Sequence, residues 1–119
     1  VIAAALAQLG KPYVYGRTGP SSFDCSGLTR YAYSQVGVSL PHSAQSVGYS
    51  AGAKVTRSQL QRGDIVCFNT ISDSDSSDHV GIYLGGNQFV HASSGQGRVV
   101  VNTLTSYYDE NFSWGRRVL

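Results

Sequence analysis

The sequence predicts an α+β fold in which N-terminal helices pack on one side of a small antiparallel sheet or half-barrel. Three observations carry that expectation. In the first half, Ile2, Ala5, Leu6 and Leu9 recur at helical spacing, and a second helical stripe begins at Cys25. After Gly63 the pattern changes to short runs rich in Val, Ile, Phe and Tyr separated by polar turns, as a meander of antiparallel strands requires. Finally, 14 glycines and only 13% charged residues in a chain of 119 suit tight, frequent turns better than long solvated helices.

The first helix ends where Gly10 is followed by Pro12, which cannot extend the hydrogen-bond ladder. An aromatic, glycine-bearing segment, Pro12-Tyr13-Val14-Tyr15-Gly16, leads to the second helix. There Pro20-Ser21-Ser22-Phe23 forms a turn, Ser22 or Asp24 is placed to act as N-cap, and Gly37 stands where a C′ residue belongs. Cys25, Leu28, Ala32 and Val36 share one face of this helix, with Thr29 beside them. A short third helix is expected from about Ser43 to Ser50, and strands near residues 64 to 69, 79 to 84, 88 to 92, 98 to 102 and 112 to 118. Internal repeats and linkers are absent, so residues 1–119 are expected to form a single domain around one core.

Composition narrows the partners. A formal charge of +2 is too small and too dispersed for a nucleic-acid binder, although Arg116-Arg117 makes a small basic spot. No apolar run is long enough to span a bilayer, and Val1-Ile2-Ala3-Ala4-Ala5-Leu6 lacks the basic leader and the length of a signal peptide. It reads as the start of an amphipathic helix, in keeping with a module cut from a longer precursor. Cys67 lies in the strand-like run Asp64-Ile65-Val66-Cys67-Phe68 and is expected to be a buried filler, so a bridge to Cys25 is not expected. The acidic run from Ser72 to Asp78 resembles a calcium loop in its alternating acids, but lacks the required glycine and terminal glutamate and is expected to be a solvated loop.

Cys25 stands between Asp24 and Ser26 at the first turn of the second helix. The unpaired N–H groups and partial positive charge of a helix N-terminus favour thiolate over thiol and can hold an oxyanion, which makes Cys25 a candidate nucleophile with a lowered pKa. A small apolar residue on a buried stripe would look the same, and this segment alone leaves both readings open.

The histidines bring a register argument. In His79-Val80-Gly81-Ile82-Tyr83-Leu84, alternation puts His79, Gly81 and Tyr83 on one face. An odd, three-residue loop of Gly85, Gly86 and Asn87 pairs Leu84 with Gln88, Gly81 with His91 and His79 with Ser93, leaving both imidazoles on that face as diagonal neighbours. A two-residue loop would send them to opposite faces. Gly81 leaves room for a close approach, and the Cys25 helix is the expected visitor. Cys25, His79 and His91 would then serve as nucleophile, general base and orienting group, with the sulfur near hydrogen-bond reach of the His79 ring. Zinc held by the same three side chains is the competing reading, weakened by the lack of a close ligand pair. His42, after Pro41, has no partner by spacing.

The segments Gly10-Lys11-Pro12-Tyr13-Val14-Tyr15-Gly16, Phe23-Asp24-Cys25-Ser26-Gly27-Leu28, Leu40-Pro41, Gly63-Asp64-Ile65-Val66, His79-Val80-Gly81-Ile82-Tyr83 and His91-Ala92 occur in the order seen in NlpC/P60 cysteine peptidases. The chain resembles that family over essentially its whole length, down to Arg116-Arg117-Val118-Leu119. The resemblance implies a papain-like core that hydrolyses stem-peptide bonds of bacterial peptidoglycan, commonly between D-glutamate and the diamino acid. It implies a monomer without metal or other cofactor, secreted or held at the cell surface. By motif, Cys25 resembles the nucleophile, His79 the base and His91 the third polar residue, while Tyr13 matches a tyrosine near the nucleophile and oxyanion. Asp24 and Ser26 match substrate-contacting positions. The chain departs from many relatives at His42, where they carry arginine, at Cys67, and in the acidic loop, which is longer than usual. An amidase or acyltransferase on the same fold and a non-catalytic wall-binding module are the alternatives.

Overall fold

The computed structural model describes residues 1–70 and 77–119. Its centre is a six-stranded antiparallel sheet in the spatial order β1-β6-β2-β3-β4-β5. The strands are β1 (Ala53–Val55), β2 (Ile65–Phe68), β3 (His79–Gly85), β4 (Gln88–Ser93), β5 (Arg98–Thr103) and β6 (Phe112–Arg117). β2 to β5 form the expected meander, and β6 returns to pair with both β2 and the short β1. Helices α1 (Ile2–Leu6), α2 (Cys25–Ser34) and α3 (Ala44–Ser50) precede the sheet, and one turn of helix, α4 (Tyr107–Glu110), links β5 to β6.

Strand alternation sorts the sheet into two faces. Ile65, Cys67, Val80, Ile82, Val90, Ala92 and Val99 pack with Ala5 of α1, Leu28, Ala32 and Tyr33 of α2, and Val47 of α3. Val66, Phe68, Tyr83 and Phe89 form a second cluster with Leu104, covered by Tyr108 of α4 and by Phe112. The three N-terminal helices therefore lie on one side, as the sequence predicts, while α4 caps the other. Each fully buried Leu, Ile, Val or Phe contributes about 1.5–3 kcal/mol, and this sandwich of helices, sheet and α4 is built from them.

The helix ends follow local chemistry. Asp24 caps α2 by accepting from the Gly27 N–H at 2.7 Å, and Ser43 caps α3 by accepting from the Ser46 N–H at 3.2 Å. Beyond Ser34 the chain closes with Val38 N–H bonded to Tyr33 O and Gly37 N–H to Ser34 O, with Gly37 at φ 78°. That closure turns Val36 out to 49% exposure, against the expectation that it shares the buried stripe. Leu9 is likewise exposed, because after Leu6 the N–H groups of Gln8 and Leu9 bond three residues back and the helical register is lost.

The β3–β4 hairpin keeps the expected register by a different device. Ile82 pairs with Val90 and Tyr83 with Phe89, as an odd loop requires, but Gly85 rather than Leu84 pairs with Gln88. Gly86 and Asn87, at φ 58° and 63°, make a two-residue turn, and the shift between Tyr83 and Gly85 supplies the odd residue as a bulge.

Candidate active site

Cys25 is the first residue of α2 and is half-buried. Its sulfur meets the backbone N–H of Val80, the residue after His79, together with the N–H groups of Ser26 and of Cys25 itself. These donors pull its pKa down, but burial dominates and the Asp24 charge adds to it, so the thiol is pushed up to about 11. The lowered pKa expected from the helix terminus is thus overturned in the resting state by desolvation. Cys67, fully buried on β2, is pushed further, to about 12. Both cysteines are free.

Asp24 gathers more than a cap. Its Oδ2 accepts from the Gly16 N–H at 2.9 Å, the Ser26 hydroxyl lies 3.4 Å from Oδ1, and His42 Nε2 sits 2.9 and 3.0 Å from the two oxygens. His42 therefore has a partner that spacing did not reveal. The phenol of Tyr13 is held up by burial and by the neighbouring Cys25 and Asp24. Tyr13, Tyr15, Asp24, Cys25, Ser26, His42 and Asp78 line a groove of about 390 Å³.

The two imidazoles meet as the register predicts. His79 Nε2 lies 2.7 Å from His91 Nδ1, and His91 Nε2 lies 2.7 Å from Asn102 Oδ1. Burial lowers His79 to about 3, with His91 contributing, and lowers His91 to about 4 against the upward pull of its bond to Asn102. Both rings are neutral at pH 7. Phe68, Phe89 and Tyr108 stack around them at centroid distances of 4.5–5.9 Å. These rings belong to the second cluster, so α2 does not approach Gly81 as expected. A side chain there would instead meet Phe89 Cδ2 at 2.9 Å and His91 Cβ at 3.1 Å, and the missing Cβ makes room for β4. His79 and His91 line a cavity of about 270 Å³ with Ser93 and Tyr108. The Cys25 contact to Val80 bridges the two halves at the start of β3.

Asn102 escaped the sequence reading. The signal was the register of the next hairpin, in which His91 pairs with Val100 and Phe89 with Asn102, so Asn102 falls on the histidine face one pair along. The zinc reading meets a geometric obstacle. His79 Nε2 and both His91 nitrogens are taken up in hydrogen bonds, leaving one imidazole nitrogen free, and among the described residues no group of three or more His, Cys, Asp or Glu could hold a metal. The Arg116-Arg117 spot is structural: Arg117 makes a bidentate pair with buried Asp64 at 2.9 and 3.0 Å, and Arg116 Nε donates to Gly48 O. Most of the acidic 72–78 run lies outside the described residues. No helix among those described is long and apolar enough to cross a membrane.

A helix-borne cysteine meeting a sheet that carries a hydrogen-bonded histidine pair, His91 buried and His79 half-buried, defines the architecture of the site. The NlpC/P60 family model matches residues 10–117, and the chain belongs to that family. It is 46% identical over 94 residues to a protein of Mycobacterium tuberculosis strain H37Rv named as a probable endopeptidase, a match covering 79% of this chain and 23% of that one. A crystal structure of an NlpC/P60 family protein from Bacillus cereus superposes with a TM-score of 0.92 at 30% identity, over 99% of this chain and 39% of the other. The NlpC/p60 domain of the peptidoglycan hydrolase SagA superposes with a TM-score of 0.84 at 35% identity, over 98% of this chain and 94% of that domain. The chain spans less than half the length of the curated relatives it matches.

Proposed function

We propose that this chain is the catalytic domain of a peptidoglycan endopeptidase that cleaves stem-peptide bonds, D-glutamyl to diaminopimelate or lysine, through a Cys25–His79–His91 thiol mechanism. The observation that carries the reading is the contact of the Cys25 sulfur with the Val80 N–H, which sets the thiol beside the residue that begins the His79–His91–Asn102 chain. The names of the relatives support the substrate class.

His79 takes the Cys25 proton as the sulfur bonds to the scissile carbonyl carbon, giving a tetrahedral oxyanion. N–H groups at the start of α2, with the Tyr13 hydroxyl, are the donors within reach of that oxygen. Collapse breaks the C–N bond, and His79 returns its proton to the departing amine. Water then adds to the thioester, giving its proton to His79, and the acid product leaves as the thiol is restored. Because both rings are neutral at rest and the thiol is pushed up, the ion pair forms during reaction rather than before it. His91 orients the His79 ring, while Asp24, Ser26 and the groove they line receive the acyl side of the stem peptide. The protein acts as a monomer, secreted or at the cell surface, and needs no cofactor.

Digestion of purified peptidoglycan, with released muropeptides read by mass spectrometry, tests the reading. Wild-type protein should open one stem-peptide bond in the presence of chelator, and Cys25→Ala and His79→Ala should lose turnover by about 10⁶-fold. Retained cleavage in Cys25→Ala, or zinc-dependent cleavage, would overturn it. Products joined to an added amine would mark an acyltransferase, and binding without cleavage a wall-binding module.

A further inference from the structure

We infer that Asn102 is a positioning residue that sets the tautomers of both histidines and so leaves the Nδ1 lone pair of His79 free to act as the base. The inference rests on the reading of His79 as general base. Its geometry is independent of that reading. Asn102 Oδ1 accepts from Gln96 Nε2 at 3.2 Å and lies 2.7 Å from His91 Nε2. A carbonyl oxygen only accepts, so His91 Nε2 carries hydrogen. In a neutral ring His91 Nδ1 then holds a lone pair, and His79 Nε2, 2.7 Å away, must donate to it. One nitrogen of neutral His79 remains unprotonated, and it is Nδ1.

The donor order propagates in one direction only. If Asn102 presented its NH₂ instead, His91 Nε2 would accept, His91 Nδ1 would donate, and His79 would carry its hydrogen on Nδ1. A base in that state has nowhere to put the Cys25 proton. Asn102 is half-buried on the edge strand β5, so replacing its side chain leaves the two sheet cores untouched. The residue acts through His91 and touches no reacting atom.

The test uses ¹⁵N-labelled histidine spectra of the folded chain, read without substrate, beside peptidoglycan turnover. Wild-type and Asn102→Asp should both show hydrogen on Nε2 of His79 and His91, because a carboxylate also only accepts. Asn102→Leu should show a new Nδ1–H population on His91, with kcat down about 10-fold and KM within about twofold. Asn102→Asp should restore most of kcat. Hydrogen on Nδ1 of His79 in the wild type, or Asn102→Asp falling as far as Asn102→Leu, would overturn the inference. Should Asn102→Leu not fold, the wild-type and Asn102→Asp spectra decide the donor order alone. A chain with the expected tautomers but no peptidoglycan cleavage would sink the proposed function and leave the tautomer assignment standing.

Discussion

Asp24 joins the fold to the candidate chemistry, and Asp24→Asn separates its two contributions. The asparagine oxygen can still accept from the Gly27 N–H, so the cap of α2 survives. The Gly16 N–H, now bonded to the second oxygen, faces an NH₂ instead, at about 1–3 kcal/mol for an unpaired donor. Asp24→Ala loses the cap as well, about 1 kcal/mol more. At roughly 2.1 cal/mol/K of unfolding entropy per residue, 1 kcal/mol shifts the Tm of 119 residues by about 4 °C. Asp24→Asn should therefore melt about 4–12 °C below wild type, with Asp24→Ala about 4 °C lower again, by circular dichroism. Reactivity should move the opposite way. The Asp24 charge holds the Cys25 pKa up, so its removal lowers that pKa and raises the thiolate fraction. Iodoacetamide at pH 8, followed by peptide mapping, should label Cys25 faster in Asp24→Asn than in wild type, and Cys67 in neither until unfolding. Slower labelling of Cys25 in the variant, or labelling of Cys67 in the folded protein, would refute the electrostatic argument.

The lowered pKa values of His79 and His91 make stability depend on pH. Their folded pKa values, about 3 and about 4, lie below the ordinary 6.5, so between these limits the unfolded chain binds more protons. Stability should be full above about pH 6.5 and fall as pH drops toward 4, by about 2 kcal/mol per ring between pH 7 and 5; urea titrations giving a flat profile would contradict the lowered pKa values. In the proposed mechanism His91 orients and His79 is the base, so His91→Ala should retain a small residue of turnover, about 10²-fold below wild type, and total loss equal to His79→Ala would argue against that division. Gly48→Ala would put a Cβ 2.2 Å from the Ser77 Cβ, and the overpacking should lower stability by about 1–3 kcal/mol in the same titration.

How much of this was legible in the sequence depends on the kind of interaction. β2 to β6 were found within a residue or two because their apolar residues alternate or run continuously, and α2 and α3 because Asp24 and Ser43 announce their starts. The pairing of His79 with His91 followed from counting a loop, although the bulge at Leu84 did the work assigned to a longer turn. β1 was invisible, since in three residues only Val55 is buried and its partner, β6, is some sixty positions away. α4 was hidden too: one turn held by Tyr108 against Phe89 has no helical period to read. His42 and Asn102 escaped for a shared reason. Their partners, Asp24 and His91, are set by tertiary approach and by a second hairpin register, and no spacing rule records either.

The start of β3 shows why a segment that reads as a plain solvated loop can hold a site. His79 is held by polar anchors just before it as well as by the Phe68 ring against it. The Asp78 carboxylate accepts from the Thr70 N–H at 2.9 and 3.0 Å and from its hydroxyl at 2.7 Å, while the Asp78 N–H donates to Phe68 O. The Ser77 hydroxyl donates to Ala44 O across the first turn of α3, and Gly48, one turn on, has no Cβ because Ser77 occupies that space. Together these contacts fix the strand where it passes the Cys25 sulfur, so the Val80 N–H is presented to the thiol by the same residues that end the acidic run. Serine and aspartate are read in sequence as solvated, yet here their short side chains satisfy backbone groups that a buried strand entrance would otherwise leave unpaired. The composition that makes the loop look dispensable is therefore what lets its last two residues fix the entrance of β3, where the Val80 N–H meets the Cys25 sulfur.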